Sequence, residues 1–229
     1  MSDQPRLFEF RMGERSPDTL VVAQANRDAA KLLTGWRGWP GGALALAGPP
    51  GSGKTHLALA WAVETGARQV SPRAAPEDAA AIFRESDGRL FIDDADGERS
   101  EDMLWRVLDL ARSAGGAVLV VGATPPGAWP TNLPDLRSRL AALPVARLGE
   151  PDEPLMEVVL RRICREQFIL LSDDAVQYLV RRLPRTFAAA RHMAAALDAE
   201  LVRGAKPVSL AGAKRALTKA QAGWGVGDG

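Results

Sequence analysis

The run Gly48-Pro49-Pro50-Gly51-Ser52-Gly53-Lys54-Thr55 meets the template Gly-x4-Gly-Lys-[Ser/Thr] at every fixed position. A loop of this kind binds phosphate. Its glycines let backbone N–H groups turn inward, and a helix starting at its end adds partial positive charge. In that chemistry Gly48, Pro50, Gly51, Ser52, Gly53 and His56 supply the cradle and the first helical turn. Lys54 reaches the β and γ phosphates, and the Thr55 hydroxyl holds Mg2+. The plainer alternative is a Gly-rich turn between a strand and a helix. The Lys54-Thr55 pair and the apolar run Ala43-Leu44-Ala45-Leu46-Ala47 ahead of it favour phosphate.

Further along, Leu90-Phe91-Ile92 runs apolar into Asp93-Asp94. Downstream of a P-loop, this pattern places Asp93 on Mg2+ and Asp94 beside an attacking water. Alone it reads equally as a solvated turn. A third apolar run ends in Gly122-Ala123-Thr124-Pro125-Pro126, where Ala123 has no polar group to sense a phosphate and Thr124 has one. The segment Leu133-Pro134-Asp135-Leu136-Arg137-Ser138-Arg139-Leu140 carries two arginines near a helix start. Each is a candidate to bring positive charge to a neighbour's γ phosphate, or a surface ion pair. Near the N-terminus, Gln4, Leu7 and Phe8 offer one amide and two adjacent apolar anchors, with Phe10 a further apolar residue beside them. They suit capture by a partner's pocket, or packing back on the core as an extra strand.

Alternating strands and helices must position these groups. Strands are predicted over residues 42–47, 68–71, 90–92, 117–121 and 144–148. Continuous rather than alternating apolar strands indicate a parallel sheet covered on both faces. Helices are predicted over 55–64, over 76–86 with Ala79, Ile82 and Phe83 inward, and over 100–113 with Ser100 as cap. The cluster Gly149-Glu150-Pro151-Asp152-Glu153-Pro154 marks a domain boundary, beyond which the pattern is purely helical. Leu155, Val159 and Ile163 are expected on one buried face there. Ser209 is expected to cap a last helix to about residue 220.

The bulk composition narrows the classes. With 229 residues the chain holds an α/β domain and a smaller second one. A net charge of +1 gives no overall field for nucleic acid. One cysteine, Cys164, excludes an internal disulfide framework, and two histidines argue against a His-rich metal site. The sequence has no apolar run of the ~20 residues a membrane span needs, and its polar start is unlike a signal peptide. A soluble cytoplasmic protein is expected.

Taken together, these motifs resemble the initiator clade of AAA+ ATPases, and within it the Hda family of DnaA-related regulators. The resemblance covers most of the chain. It implies a mobile tail over 1–17 and an α/β AAA+ P-loop core, a parallel sheet flanked by helices, over 18–150. A small all-helical lid over 151–222 and a disordered end over 223–229 would follow. Leu20-Val21-Val22 through Asn26 resembles the segment that encloses adenine. Leu136-Arg137-Ser138-Arg139-Leu140 resembles the motif whose final arginine is the finger, which is Arg139 here. Gln4-Pro5-Arg6-Leu7-Phe8 matches the peptide that binds the sliding clamp, the β subunit of DNA polymerase III. The sensor arginine of the lid falls on Ala188, with Arg185 and Arg191 about a turn to either side.

The resemblance therefore implies bound ADP or ATP with Mg2+, little turnover of its own, and docking on the DNA-loaded clamp. Arg139 would then stimulate ATP hydrolysis by DnaA, and a homo-oligomer is possible. The chain ends after the lid segment and its arginines form no basic stripe, so sequence-specific DNA reading is not expected. Two rivals remain: a self-sufficient ATPase resembling the DnaC helicase loader, and a non-catalytic adaptor whose P-loop serves folding.

Overall fold

A computed structural model describes residues 26–200 and 207–224. The chain divides into two compact units, with the division between Gly149 and Glu150.

The first unit is built on five parallel strands: β1 (Ala43–Ala47), β2 (Arg68–Gln69), β3 (Arg89–Ile92), β4 (Ala117–Gly122) and β5 (Val145–Arg147). Their order across the sheet is β2-β3-β4-β1-β5. β1 lies between β4 and β5, in register with β4 from Ala43↔Val118 to Ala47↔Gly122 and with β5 from Ala45↔Val145 to Ala47↔Arg147. All of β1 and β4 is buried, which is why both read as unbroken apolar runs. The period of two sends alternate residues to two separate cores. Ala43, Ala45, Leu90, Ile92, Val118 and Val120 pack on one face with helices α3 (Pro76–Glu85), α4 (Glu101–Ala114) and α5 (Pro134–Ala142). Leu44, Leu46, Phe91, Leu119 and Val121 pack on the other with α1 (Arg27–Thr34) and α2 (Lys54–Thr65). There Trp39 stacks on Trp61 at 5.2 Å between ring centres and donates from Nε1 to Leu32 O at 2.7 Å.

Helix signals act as expected at α4, where Ser100 Oγ accepts from Met103 N at 3.2 Å. In α3 the buried set is Ala79, Ala80 and Phe83; Ile82 lies at the rim of the core. Gly42 has φ +71, and a Cβ there would stand 2.6 Å from the carbonyl oxygens of Ala111 and Gly116, so the chain enters β1 only through glycine.

The second unit is helical: α6 (Glu153–Glu166), α7 (Asp173–Val180), α8 (Phe187–Glu200) and α9 (Leu210–Trp224). One departure from pure helix is a parallel bridge between Leu171 and Val208. The buried seam of α6 is Leu155, Met156, Leu160 and Cys164, with Val159 and Ile163 only flanking it. The expected face is thus one side of the buried seam, which extends to Met156 and Cys164 because these are as apolar as their neighbours and periodicity alone does not choose between them. Asp152 and Ser172 cap α6 and α7, accepting from Leu155 N and Ala175 N. α9 runs to Trp224, past the expected end near residue 220.

After α6 the chain turns through Phe168, which has φ +59 and is 94% exposed. The Ile169 N–H reaches back to Cys164 O at 2.8 Å, the bond that closes a helix end where glycine is usual. A left-handed residue with a Cβ costs ~1–2 kcal/mol, partly offset by the smaller freedom of its unfolded state. Phe168→Gly is expected to stabilise the protein by ~0.5–1 kcal/mol, read as a rise of about 2 °C in the melting midpoint. A lower midpoint would show that the ring is held by contacts.

Candidate functional site

The C-terminal edge of the sheet gathers three of the four motifs of the first unit: the P-loop, Asp93-Asp94 and the end of β4. β1 ends at Ala47, beside Gly122 of β4, and Gly48 N donates to Gly122 O at 3.3 Å. Gly48 has no room for a side chain: a Cβ would lie 2.6 Å from Leu148 O and 3.0 Å from Ser52 Oγ. The loop then turns through Gly51 at φ +74 and Gly53 at φ +91, conformations open to glycine. α2 begins at Lys54 with no side-chain cap, so its first N–H groups are left for a ligand at the loop.

Inside this curve Lys54 Nζ donates to Gly48 O at 2.8 Å and to Pro49 O at 3.0 Å. Pro50 and Thr55 are exposed, and His56 is half-buried on the first turn. Ser52 is 6% exposed, and its Oγ has no hydrogen-bond partner. A buried hydroxyl without a partner calls for an explanation, and a ligand oxygen at the loop supplies one. Left-handed glycines, an uncapped helix start, an ammonium within the loop and an orphaned hydroxyl together fit the phosphates of a nucleotide. Among the described residues no three His, Cys, Asp or Glu side chains converge as a metal site. Mg2+ in such a loop does not need them, since phosphates and water supply most of its oxygens.

Asp93 and Asp94 follow β3 directly. Asp93 is half-buried and Asp94 exposed, and Asp93 Oδ1 accepts from Asp94 N at 3.1 Å. Asp94 has φ +51, which swings the chain back across the sheet edge. A carboxylate missed in the sequence lands there as a result: Asp96 Oδ2 accepts from Ala123 N at 2.7 Å and from Thr124 N at 3.3 Å. From the other side Trp129 Nε1 donates to Thr124 O at 2.9 Å. A Cβ on Gly122 would meet both Trp129 and Asp96 within 3 Å. The end of β4 is therefore clamped through its backbone, and Ala123 adds no polar side chain. The repeated acid in Asp93-Asp94-Ala95-Asp96 was the signal available for Asp96.

The two arginines of α5 have different surroundings. Arg137 Nη2 donates to Thr131 O at 2.6 Å, bracing the loop before its own helix. Arg139 crosses to α4, where Nη2 donates to Asp109 Oδ1 at 2.8 Å. That hydrogen bond holds the Asp109 carboxyl below its ordinary range. In the second unit, Arg185 precedes α8 and pairs with Glu153 at 3.3 Å, while Arg191 is exposed on α8. Ala188 is exposed in the first turn of α8. Leu20, Val21, Gln4, Leu7, Phe8 and Phe10 lie outside the described residues. Among the described residues no helix is long and apolar enough to cross a membrane.

No protein-family model and no curated protein matches the sequence. Solved structures do match in shape. Domain III of the replication initiation protein DnaA from Thermotoga maritima superposes with a TM-score of 0.68 at 19% identity, over 87% of this chain and 94% of that one. The RuvB Holliday junction branch migration motor of Thermotoga maritima gives 0.61 at 23% identity, over 77% of this chain and 61% of the motor. A replication initiator DnaA bound to AMPPCP and single-stranded DNA gives 0.61 at 17% identity, over 87% of this chain and 67% of that one. At these identities the likeness concerns the fold alone: the chain shares the α/β fold of these DnaA and RuvB structures, followed by C-terminal helices.

Proposed function

We propose that this protein is an Hda-like regulator of DnaA. It holds ADP or ATP with Mg2+ at its P-loop and docks on the DNA-loaded sliding clamp through Gln4, Leu7 and Phe8, with Phe10 beside them. It then presents Arg139 to ATP bound on DnaA and promotes hydrolysis there, limiting re-initiation. The bound nucleotide supplies charge and shape at the loop. The chain's own residues do the rest. Lys54 and the N–H groups of Gly51 and residues 53–55 would take the phosphates, Thr55 and Asp93 would hold the cation, and Asp94 is exposed at the same edge. Leu20, Val21 and one of Arg185 and Arg191 are the remaining residues of the proposed nucleotide-binding set.

The observation that carries this reading is the clamped end of β4. Both N–H groups that face out there, those of Ala123 and Thr124, are bound by Asp96. Residue 123 has no polar side chain to report on a γ phosphate. A loop that fits phosphate, beside an edge whose two outward N–H groups are taken and whose one free polar group is the Thr124 hydroxyl, favours a nucleotide that is held over one that is turned over. The choice of partners rests on the resemblance of the motifs to DnaA-related regulators and on the Gln-x-x-Leu-Phe peptide.

The test is ATP hydrolysis by DnaA with this protein, the clamp and DNA each left out in turn. Stimulation is expected only with all three present, and Gln4→Ala combined with Leu7→Ala is expected to abolish both it and clamp capture in a pull-down. Full stimulation without the clamp would overturn the docking role. ATP turnover by this protein alone, raised by single-stranded DNA, would favour a helicase loader instead.

A further inference from the structure

The proposed finger is a braced side chain. Arg139 lies in the last turn of α5 and lays its guanidinium over α4, with its carbon 5.3 Å from the centre of the Trp105 ring. Its Nη2 donates to Asp109 at 2.8 Å, and the two side chains are 24% and 29% exposed. Trp105 and Asp109 are four residues apart on α4, so ring and carboxylate stack one turn above the other on a single face. Arg112 stands 3.6 Å from the same Asp109 oxygen, one turn further on. The carboxylate is therefore fixed from its own helix as well as from α5.

This arrangement matters because an arginine finger acts through placement. A free arginine samples many rotamers, and charge delivered to a transferring phosphoryl group must arrive aligned. One N–H of Arg139 is bound to Asp109 and one face of the guanidinium lies toward Trp105. A guanidinium has five N–H donors, so most remain for phosphate oxygens. A planar cation held on an aromatic face and by a carboxylate keeps its orientation when a partner approaches.

We propose that Asp109 and Trp105 are positioning residues that hold the Arg139 guanidinium preformed for the γ phosphate of ATP on the neighbouring AAA+ module. The inference rests on Arg139 acting as the finger.

The experiment compares Asp109→Asn, Asp109→Glu and Trp105→Leu with the unsubstituted full-length protein. DnaA, clamp and DNA are present, and the protein is titrated to saturation. Asp109→Asn is expected to lower the maximal stimulated rate about ten-fold, a loss typical of a misplaced catalytic group. The concentration giving half-maximal stimulation should not move, because docking belongs to the tail. Asp109→Glu should restore part of the rate, and Trp105→Leu should lower it in the same sense. A merely structural ion pair would instead lower the melting midpoint and leave the saturated rate unchanged, which would overturn the proposal. A rate that rises in Asp109→Asn would overturn it as well, since the carboxylate would then be holding the finger back. Arg139→Ala is assayed alongside. If it stimulates normally, the finger reading is lost; if it is inactive while Asp109→Asn is normal, only the positioning role is lost.

Discussion

Replacing Arg139 with alanine is expected to cut stimulated ATP hydrolysis by DnaA at least ~10³-fold while leaving clamp capture intact. The size follows from what a finger does. As charge develops on the transferring phosphoryl oxygens, a guanidinium aimed at them in a site that excludes water stabilises the transition state more than the ground state. The fold should survive the change. Arg139 is 24% exposed, and its ion pair with Asp109 is one of the partly solvated kind worth about 1 kcal/mol or less. Loss of the contact with Trp105 adds a similar small amount. The variant should therefore melt within a few degrees of the parent, which separates a chemical defect from an unfolded protein. Arg139→Lys is informative in the same assay. It keeps the charge but not the planar fork, and should recover only a small part of the rate. Phosphate release at saturating protein is the measurement, and normal stimulation by Arg139→Ala would remove the finger from the mechanism.

How much of this was legible in the sequence depends on the range over which each feature is specified. The P-loop is local: its glycines, Lys54 and the apolar run before it are contiguous, and the left-handed turns at Gly51 and Gly53 occur within the motif. Strands β1 and β4 were equally plain, because they are buried on both faces and need no phase. Features that depend on register between distant segments were not visible. Asp96 reaches the end of β4 because Asp94 turns the chain with a positive φ and Ile92 pairs with Val120. Neither fact can be read from residues 93–96 alone. The Arg139–Asp109 pair joins positions thirty residues apart on two helices, and α4 carries several other charges on its outer face. The centre of the buried face of α6 was not legible because its apolar residues ring more than half the helix. Phe168 occupies a turn that glycine usually fills, so the usual stop signal for α6 was absent. For the tail, the sequence remains the whole basis, since Gln4 to Phe10 lie outside the described residues.

Lys54→Ala is expected to weaken ADP binding about 100-fold, equivalent to ~2.8 kcal/mol, and the consequences reach beyond this protein's own site. Lys54 Nζ now donates to the carbonyls of Gly48 and Pro49, so the ammonium already sits within the curve of the loop. The variant loses the single full positive charge of the motif. Without nucleotide, its melting midpoint should stay close to the parent's, because two hydrogen bonds at a partly exposed loop contribute little net stability. With ADP at a hundred times the parent's Kd, the parent should gain ~2.7 kcal/mol of stability and the variant only a few tenths. An equal thermal shift in both would remove the P-loop from nucleotide binding. The same variant also tests what the nucleotide is for. If ADP sets the shape that engages DnaA, stimulation by Lys54→Ala should be low at ordinary ADP and return as ADP is raised about 100-fold. An adaptor that keeps its P-loop only for folding behaves differently: once folded, it stimulates, or fails to, regardless of ADP. Rescue by ligand concentration therefore distinguishes a regulatory nucleotide from a structural one, and it does so through a partner's reaction that Lys54 never touches.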